Sequence, residues 1–331
     1  MKALVIEKPF QAKMMEMEYP KPSSHEVTIK VERTGICGTD LHIYAGTYMS
    51  SYPLIPGHEF SGVIHEVGAD VVGYSVGERV SADPNIFCGQ CEYCRTHRSN
   101  QCKNFAAVGV TRHGSMAEYV RVPANTLVKL PDGMTFQQGA FIEPMACVVY
   151  VMKRLQLQAG ERVILFGAGA MGQQLIQALS RSGASELVVV DISPAKLELA
   201  KQQGATRTVL STELASAWVD ESYDVVVEAT GIPSVIQTAF EFMGPAAKYI
   251  QFGVADSHVT VPLNPYKLFK NDWIILGSMA VHYTTLPALR WIHEGRIQVD
   301  GLVSQVISLE QAVSFFENRK KSDLLKTQIQ L

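Results

Sequence analysis

The 331-residue sequence contains no apolar run approaching the roughly 18 residues of a membrane-spanning helix, so no transmembrane segment is expected. Its opening stretch, MKALVIEKPF, lacks the long apolar core and small-residue cleavage site of a secretory signal, and reads as a short strand followed by a turn. Positive charge is not in excess. Lys and Arg number 29 against 32 Asp and Glu, a formal net charge of −3, which argues against nucleic acid or an anionic membrane as partner. No internal repeat and no low-complexity segment is found. What is present is the composition of a soluble globular protein, 47% hydrophobic and 18% charged, in a chain long enough for two domains. A cytoplasmic location is expected, where structural disulfides are uncommon. The six cysteines therefore need another use, and the crowding of Cys88, Cys91, Cys94 and Cys102 into one short stretch points to metal.

The rhythm of the chain changes near residue 140. Before it, HEVTIKVERTGI (25–36), FSGVIHEVG (60–68), ERVSADP (78–84) and AEYVRVPANTLVKLP (117–131) are short alternating or β-branched runs punctuated by Gly, Pro and Asp, as in a compact β domain. After it, GERVILFGAGAMGQQLIQALSRSGASELVVVDIS reads as strand, glycine turn, helix and strand. A short helix ending at Gly204 follows, then buried strands in YDVVVEATG, AKYIQFGVA and WIILGSMA. Strands alternating with helices imply a parallel sheet covered on both faces. From about residue 283 the tail carries two helical stretches, TLPALRWIHEG and SLEQAVSFFENRKK, and a final β-like LLKTQIQL.

Three constellations carry chemistry. In the first, Gly167-Ala168-Gly169-Ala170-Met171-Gly172 follows a strand and opens a helix, and Asp191 ends the next strand. Glycines let the backbone approach a pyrophosphate, the helix N-terminus offers N–H groups, and an acid about 20 residues on accepts from a ribose diol. Asp191 would repel a 2′-phosphate, which favours NAD over NADP. In the second, the four clustered cysteines have C-x2-C-x2-C-x7-C spacing, suited to a closed tetrahedral zinc site of structural type. A ferredoxin-type cluster would place three residues before the fourth cysteine and Pro after it. The third is scattered: Cys37, Thr39, Asp40, His42 and Tyr44 in TGICGTDLHIY, and His58 and Glu59 in PGHEF. A thiol and an imidazole beside glycine turns suit a zinc ion with an open position, but spacing alone does not bring them together. Glu143, the single charge in GAFIEPMACVVYV, stands where an acid before Pro144 begins a helix, among residues that read as buried. A carboxylate there needs a partner.

Gly57-His58-Glu59-x-x-Gly62, five residues, Gly68, two residues and Val71 resembles the signature of the zinc-dependent medium-chain alcohol dehydrogenases, and Cys37-Gly-Thr39-Asp-x-His42 resembles that family's first catalytic segment. The cysteine lobe and glycine fingerprint come in the family's order, so the resemblance spans essentially the whole chain. It implies an α/β architecture: a GroES-like β-rich catalytic domain (1–140 and 283–331) and a Rossmann doubly wound parallel sheet that binds NAD (141–282), with the active site in the cleft between. It implies two zinc ions per chain: a structural one on Cys88, Cys91, Cys94 and Cys102, and a catalytic one on Cys37 and His58, with Glu59 as third ligand or close neighbour and Glu143 at the last ligand position. Classical members carry cysteine at that last position; polyol and threonine dehydrogenases carry glutamate, usually followed by proline, as Glu143-Pro144 here. The polyol (sorbitol/arabitol-type) branch is therefore implied.

The expected reaction is reversible oxidation of a polyol's secondary hydroxyl to a ketose with NAD. Zinc would acidify the hydroxyl, as it takes bound water from 15.7 to about 7. By resemblance the proton leaves through Thr39, the cofactor ribose and His42, with Glu143 as a second relay by way of a zinc-bound water. By position Lys196 reaches the adenosine edge, Thr230 and Gly231 border the cleft, and Phe252, Gly253 and Val254 flank the nicotinamide. Cys147, one turn after Glu143, reads as small apolar filler. A small-molecule polyol substrate and a homodimer or homotetramer are implied. Alternatives stay open. L-threonine is disfavoured because AGTYMSSYP replaces that subgroup's tryptophan-rich continuation, and the sorbitol pattern is broken by Ile43 before Tyr44. A polyol phosphate would need a basic cluster in the pocket. An NAD(H)-binding regulatory protein without turnover is the alternative of a different class.

Overall fold

The computed structural model describes residues 1–214, 222–318 and 324–331. The chain divides into two compact units, Met1–Ala146 with Ala280–Leu331, and Cys147–Met279.

In the first unit, β1 (Lys2–Lys8) and β2 (Gln11–Glu16) form a hairpin. β3 (Glu26–Gly35), β4 (Glu59–Val67), β5 (Arg79–Ala82), β8 (Tyr119–Pro123) and β9 (Leu127–Lys129) belong to a seven-stranded sheet, while β6 (Asn85–Ile86) and β7 (Ala106–Ala107) pair beside the cysteine lobe. Val27, Ile29, Val31, Phe60, Ile64 and Val80 bury one sheet core, and Leu4, Ile6, Ile43, Ile55 and Met116 a second.

The second unit holds a six-stranded, wholly parallel sheet of β10 (Arg162–Phe166), β11 (Glu186–Asp191), β12 (Arg207–Leu210), β13 (Tyr223–Glu228), β14 (Met243–Gln251) and β15 (Ile274–Gly277), in spatial order β12-β11-β10-β13-β14-β15. Its central strands are apolar on both faces, as VILF in β10 shows, because helices cover both sides of a parallel sheet. The order reverses between β10 and β13, the switch point at which such folds bind ligands. The runs read as YDVVVEATG, AKYIQFGVA and WIILGSMA supply β13, β14 and β15.

After residue 280 the chain rejoins the first unit. Helices Thr285–His293 and Leu309–Glu317 form there, and residues 319–321 of the second expected helix lie outside the described residues. β16 (Val303–Ser308) and β17 (Lys326–Gln330) then enter the seven-stranded sheet, β17 running antiparallel to β3. No described helix is long and apolar enough to cross a membrane.

Candidate active site

Three neighbouring strands converge on one point in the first unit. β3 ends at Gly35, opposite Glu59 at the start of β4 and Gln328 of β17. Cys37 follows β3, His58 precedes β4 and Lys326 opens β17, so register alone gathers residues nearly 300 positions apart. The ligand atoms of Cys37, His58 and Glu59 lie within 4.8 Å of one another. The carboxylate fits because residue 35 has no side chain: a Cβ there would sit 2.2 Å from Glu59 Oε2. Gly57, at φ +96°, is the left-handed turn that delivers His58.

Asp40 holds this group from behind. It is fully buried on the helix Gly38–Ala45, accepts from the backbone N–H of Cys37 at 2.7 Å and of Gly57 at 3.1 Å, and lies 3.5 Å from His58 Nδ1. The carboxylate stands beside Nδ1 as a charge neighbour rather than a hydrogen-bond partner, which leaves Nε2 as the ring nitrogen for a metal. Burial by itself pushes the His58 pKa down, but Asp40 and then Cys37 outweigh it and hold it well above the usual range.

Lys326 is the residue that pattern reading missed. Its ammonium is buried and reaches both Glu59 oxygens, at 2.7 and 2.8 Å, and the Ile36 carbonyl at 3.3 Å. Desolvation lowers its pKa, yet Glu59, Cys37 and Glu143 raise it further, so the net shift is upward. Glu143 stands outside the 4.8 Å set; it lies in the first turn of the helix Ile142–Leu155, buried, and contributes to the field on Lys326. Thr39 and His42, three residues apart, share one face of the helix Gly38–Ala45. His42 is half-buried, with Nδ1 3.1 Å from the Thr47 hydroxyl. Thiol, imidazole and carboxylate form the donor set of a zinc site with an open position, so these residues fit that ion.

The cysteine lobe fits a closed site. Cys88 and Cys94 sulfurs stand 4.0 Å apart, Cys91 and Cys102 sulfurs 3.9 Å. A tetrahedron of thiolates about 2.3 Å from zinc has edges of about 3.8 Å, whereas a disulfide brings sulfurs to about 2.05 Å. All six cysteines are free of disulfides. Backbone N–H groups of Cys94 and Lys103 lower the Cys91 thiol to about 6, while desolvation pushes Cys94 up to about 12. Metal binding must displace the protons that remain.

In the second unit, Gly167 (φ +102°) turns the chain out of β10, and Gly172 packs so closely that a Cβ there would lie 2.1 Å from the Gly167 carbonyl. Ala168 continues the turn, and Met171 lies in the first turn of the helix that follows. Gly169 caps the helix Ala170–Ser180 without a side chain, which leaves the first-turn N–H groups for an anion. Asp191 accepts from the backbone N–H of Ala168 at 2.7 Å and of Ser193 at 2.9 Å, so it is held against the glycine turn. Lys196 is half-buried in the first turn of the helix Pro194–Gln202. Thr230, Phe252, Gly253 and Val254 lie just past the ends of β13 and β14.

Comparisons with known proteins agree with this architecture. Residues 23–132 match the family model of the alcohol dehydrogenase GroES-like domain, and residues 170–294 that of the zinc-binding dehydrogenases. D-arabinitol dehydrogenase 1 of Uromyces fabae is 30% identical over 98% of this chain and 96% of its own length. A protein described as a zinc-binding dehydrogenase from Sinorhizobium meliloti 1021, solved with NADP, superposes with a TM-score of 0.96 at 30% identity, covering 100% of this chain and 99% of that one. The rspB alcohol dehydrogenase of Escherichia coli CFT073, solved with NADH, gives 0.92 at 30% identity, with coverages of 100% and 99%.

Proposed function

The chain belongs to the zinc-dependent medium-chain alcohol dehydrogenases, in their polyol branch, and is an oxidoreductase acting on CH–OH groups; on that premise we propose that it oxidises a secondary hydroxyl of a sugar alcohol to a ketose, reversibly, with NAD. The observation that carries this reading is the convergence of Cys37, His58 and Glu59, backed by Asp40, in a chain that also buries Glu143. In it, Cys37, His58 and Glu143 bind a catalytic zinc, Glu59 is a further ligand or adjacent carboxylate, and Cys88, Cys91, Cys94 and Cys102 bind a structural one. Zinc supplies Lewis acidity toward the substrate hydroxyl, and NAD the hydride acceptor. Thr39 accepts the hydroxyl proton as it gives up its own, and His42, on the same helix face, is the last group of the relay and releases a proton to water. Lys326 balances the charge gathered at Glu59, so that a buried cluster of acids and a thiolate remains tolerable. Asp191 faces the adenosine ribose diol, with Lys196 at its edge. A cytoplasmic setting keeps the six thiols reduced. The exposed edge of β15 gives the sheet a surface for self-association.

The test is NADH formation on C4–C6 polyols, their phosphates and L-threonine, with and without chelator, alongside metal analysis. Polyol turnover abolished by chelator is expected. Cys37→Ala should lower zinc by one ion per chain while the lobe keeps its own. Turnover confined to L-threonine or to phosphates would move the substrate class. NADH binding without turnover on any alcohol would favour a regulatory binding protein instead.

A further inference from the structure

Glu228 ends β13, is fully buried, and has no role in the reaction just described. Its carboxyl accepts from the backbone N–H of Thr230 at 2.7 Å and of Gly231 at 3.0 Å, from the Thr230 hydroxyl, and from Gln251 Nε2 at 2.6 Å. Each partner is a neutral donor, and together they offset the cost of burying an acceptor of this strength. Gln251 stands opposite Glu228 in the ladder, at the end of β14. Its second amide hydrogen goes to the Gly253 carbonyl at 2.7 Å, and the Tyr249 hydroxyl donates to its Oε1. The Glu228 carbonyl takes the N–H groups of both Phe252 and Gly253, each at 2.9 Å.

The two loops so joined are in direct contact. A Cβ on Gly253 would lie 2.2 Å from the Gly231 nitrogen, and one on Gly231 2.2 Å from the Val254 carbonyl oxygen. The Thr230 methyl in turn would meet a Cβ on Gly167 at 2.9 Å. The turns beyond β10, β13 and β14 therefore form one contiguous surface at the switch point of the sheet. Only the latter two hang on Glu228: the Gly167 turn keeps its own bonds, from Gly167 N–H to the Val190 carbonyl and from Ala168 N–H to Asp191.

We propose that Glu228 and Gln251 are positioning residues for the nicotinamide half of the cofactor. A buried carboxyl and a cross-strand amide hold Thr230–Gly231 against 252–254 in the spacing that half requires, and leave the adenosine half to the Gly167–Gly172 turn and Asp191. This rests on the NAD reading above and deepens it. A side chain that merely stabilises the domain would affect both halves alike, so ligands that report on one half or both separate the roles.

The experiment measures dissociation constants of NADH and of ADP-ribose, which lacks the nicotinamide, for wild-type, Glu228→Gln and Gln251→Ala proteins. Circular dichroism and zinc content serve as controls for folding. NADH binding should weaken roughly tenfold or more in each variant, while ADP-ribose stays within about twofold. Gln251→Ala removes the amide with its bonds to Glu228, the Gly253 carbonyl and the Tyr249 hydroxyl but keeps the Glu228 carboxyl and its loop bonds, and decides the matter alone if Glu228→Gln does not fold. Equal losses for the two ligands, or no loss for either, would overturn the inference. A wild-type protein that binds neither ligand would overturn the NAD reading itself, and is distinguished from those outcomes before any variant is made.

Discussion

Lys326 and Glu59 form a buried pair, their side chains only 5% and 1% exposed, and such a pair behaves asymmetrically under mutation. Removing one partner strands the other charge in low dielectric. Lys326→Met should therefore cost about 3–5 kcal/mol in urea unfolding. Adding Glu59→Gln should recover much of that loss, because the stranded charge goes with it; a double variant no more stable than the single one would deny the coupling. Asp191 carries a second residue-scale prediction. One structural relative holds NADH and another NADP, so the preference has to be read from this chain's own acid. Wild-type kcat/KM should favour NAD, and Asp191→Ser should cut the NAD-to-NADP ratio by roughly tenfold or more, since the repulsion of a 2′-phosphate disappears. An unchanged ratio would place the discrimination elsewhere. Asp191 was legible because its role follows from a fixed position in a local motif. Lys326 was not, because a lysine in a terminal β-like run is ordinarily a solvated one, and nothing local says which strand its neighbour will be.

Within single elements, β3 shows how a strand serves both stability and site. At its start Glu26 accepts from the Ser23 hydroxyl at 2.6 Å and faces Arg121 at 3.3 Å and Arg112 at 3.6 Å; at its end Gly35 makes room for Glu59. Burial raises the Glu26 pKa, but the Ser23 bonds and the two arginines outweigh it and the net shift is downward. A carboxyl depressed on folding contributes stability that is present above its unfolded pKa and lost as pH falls through the folded one. Stability measured by denaturant should therefore fall with acid below the ordinary carboxylate range, and Glu26→Gln should flatten that limb, lowering stability at neutral pH where the contribution is fully present and changing little in strong acid where the wild type has already lost it. A limb of unchanged slope would refute the assignment. Elements such as β10, β11 and the glycine-opened helix were readable from period and punctuation alone, because each buries apolar residues at its own repeat. The short pairings of β6 with β7, and of β17 with β3, carry little periodic signal; they form because partners far away in sequence supply the hydrogen bonds.

For the whole molecule, β15 is an edge of the parallel sheet and leaves Ile274 49% and Ile275 42% exposed. An uncovered apolar edge favours pairing with another chain. Light scattering should report an oligomer, and Ile275→Lys should shift it toward the monomer with the NADH site intact; a wild-type monomer at micromolar concentration would count against association there. At this scale the contributions of sequence and structure separate cleanly. The family, the α/β class, the four-cysteine lobe and the glycine turn with its acid could be read along the chain, because each rests on local spacing or on side-chain chemistry a few residues apart. That the ligand atoms of Cys37, His58 and Glu59 stand within 4.8 Å of one another, that Asp40 and Lys326 flank them, and that Glu228 and Gln251 join two loops emerges from the folded chain alone. Those contacts depend on strand register between distant segments, and register is set by burial summed over the whole sheet rather than by any stretch that can be read alone.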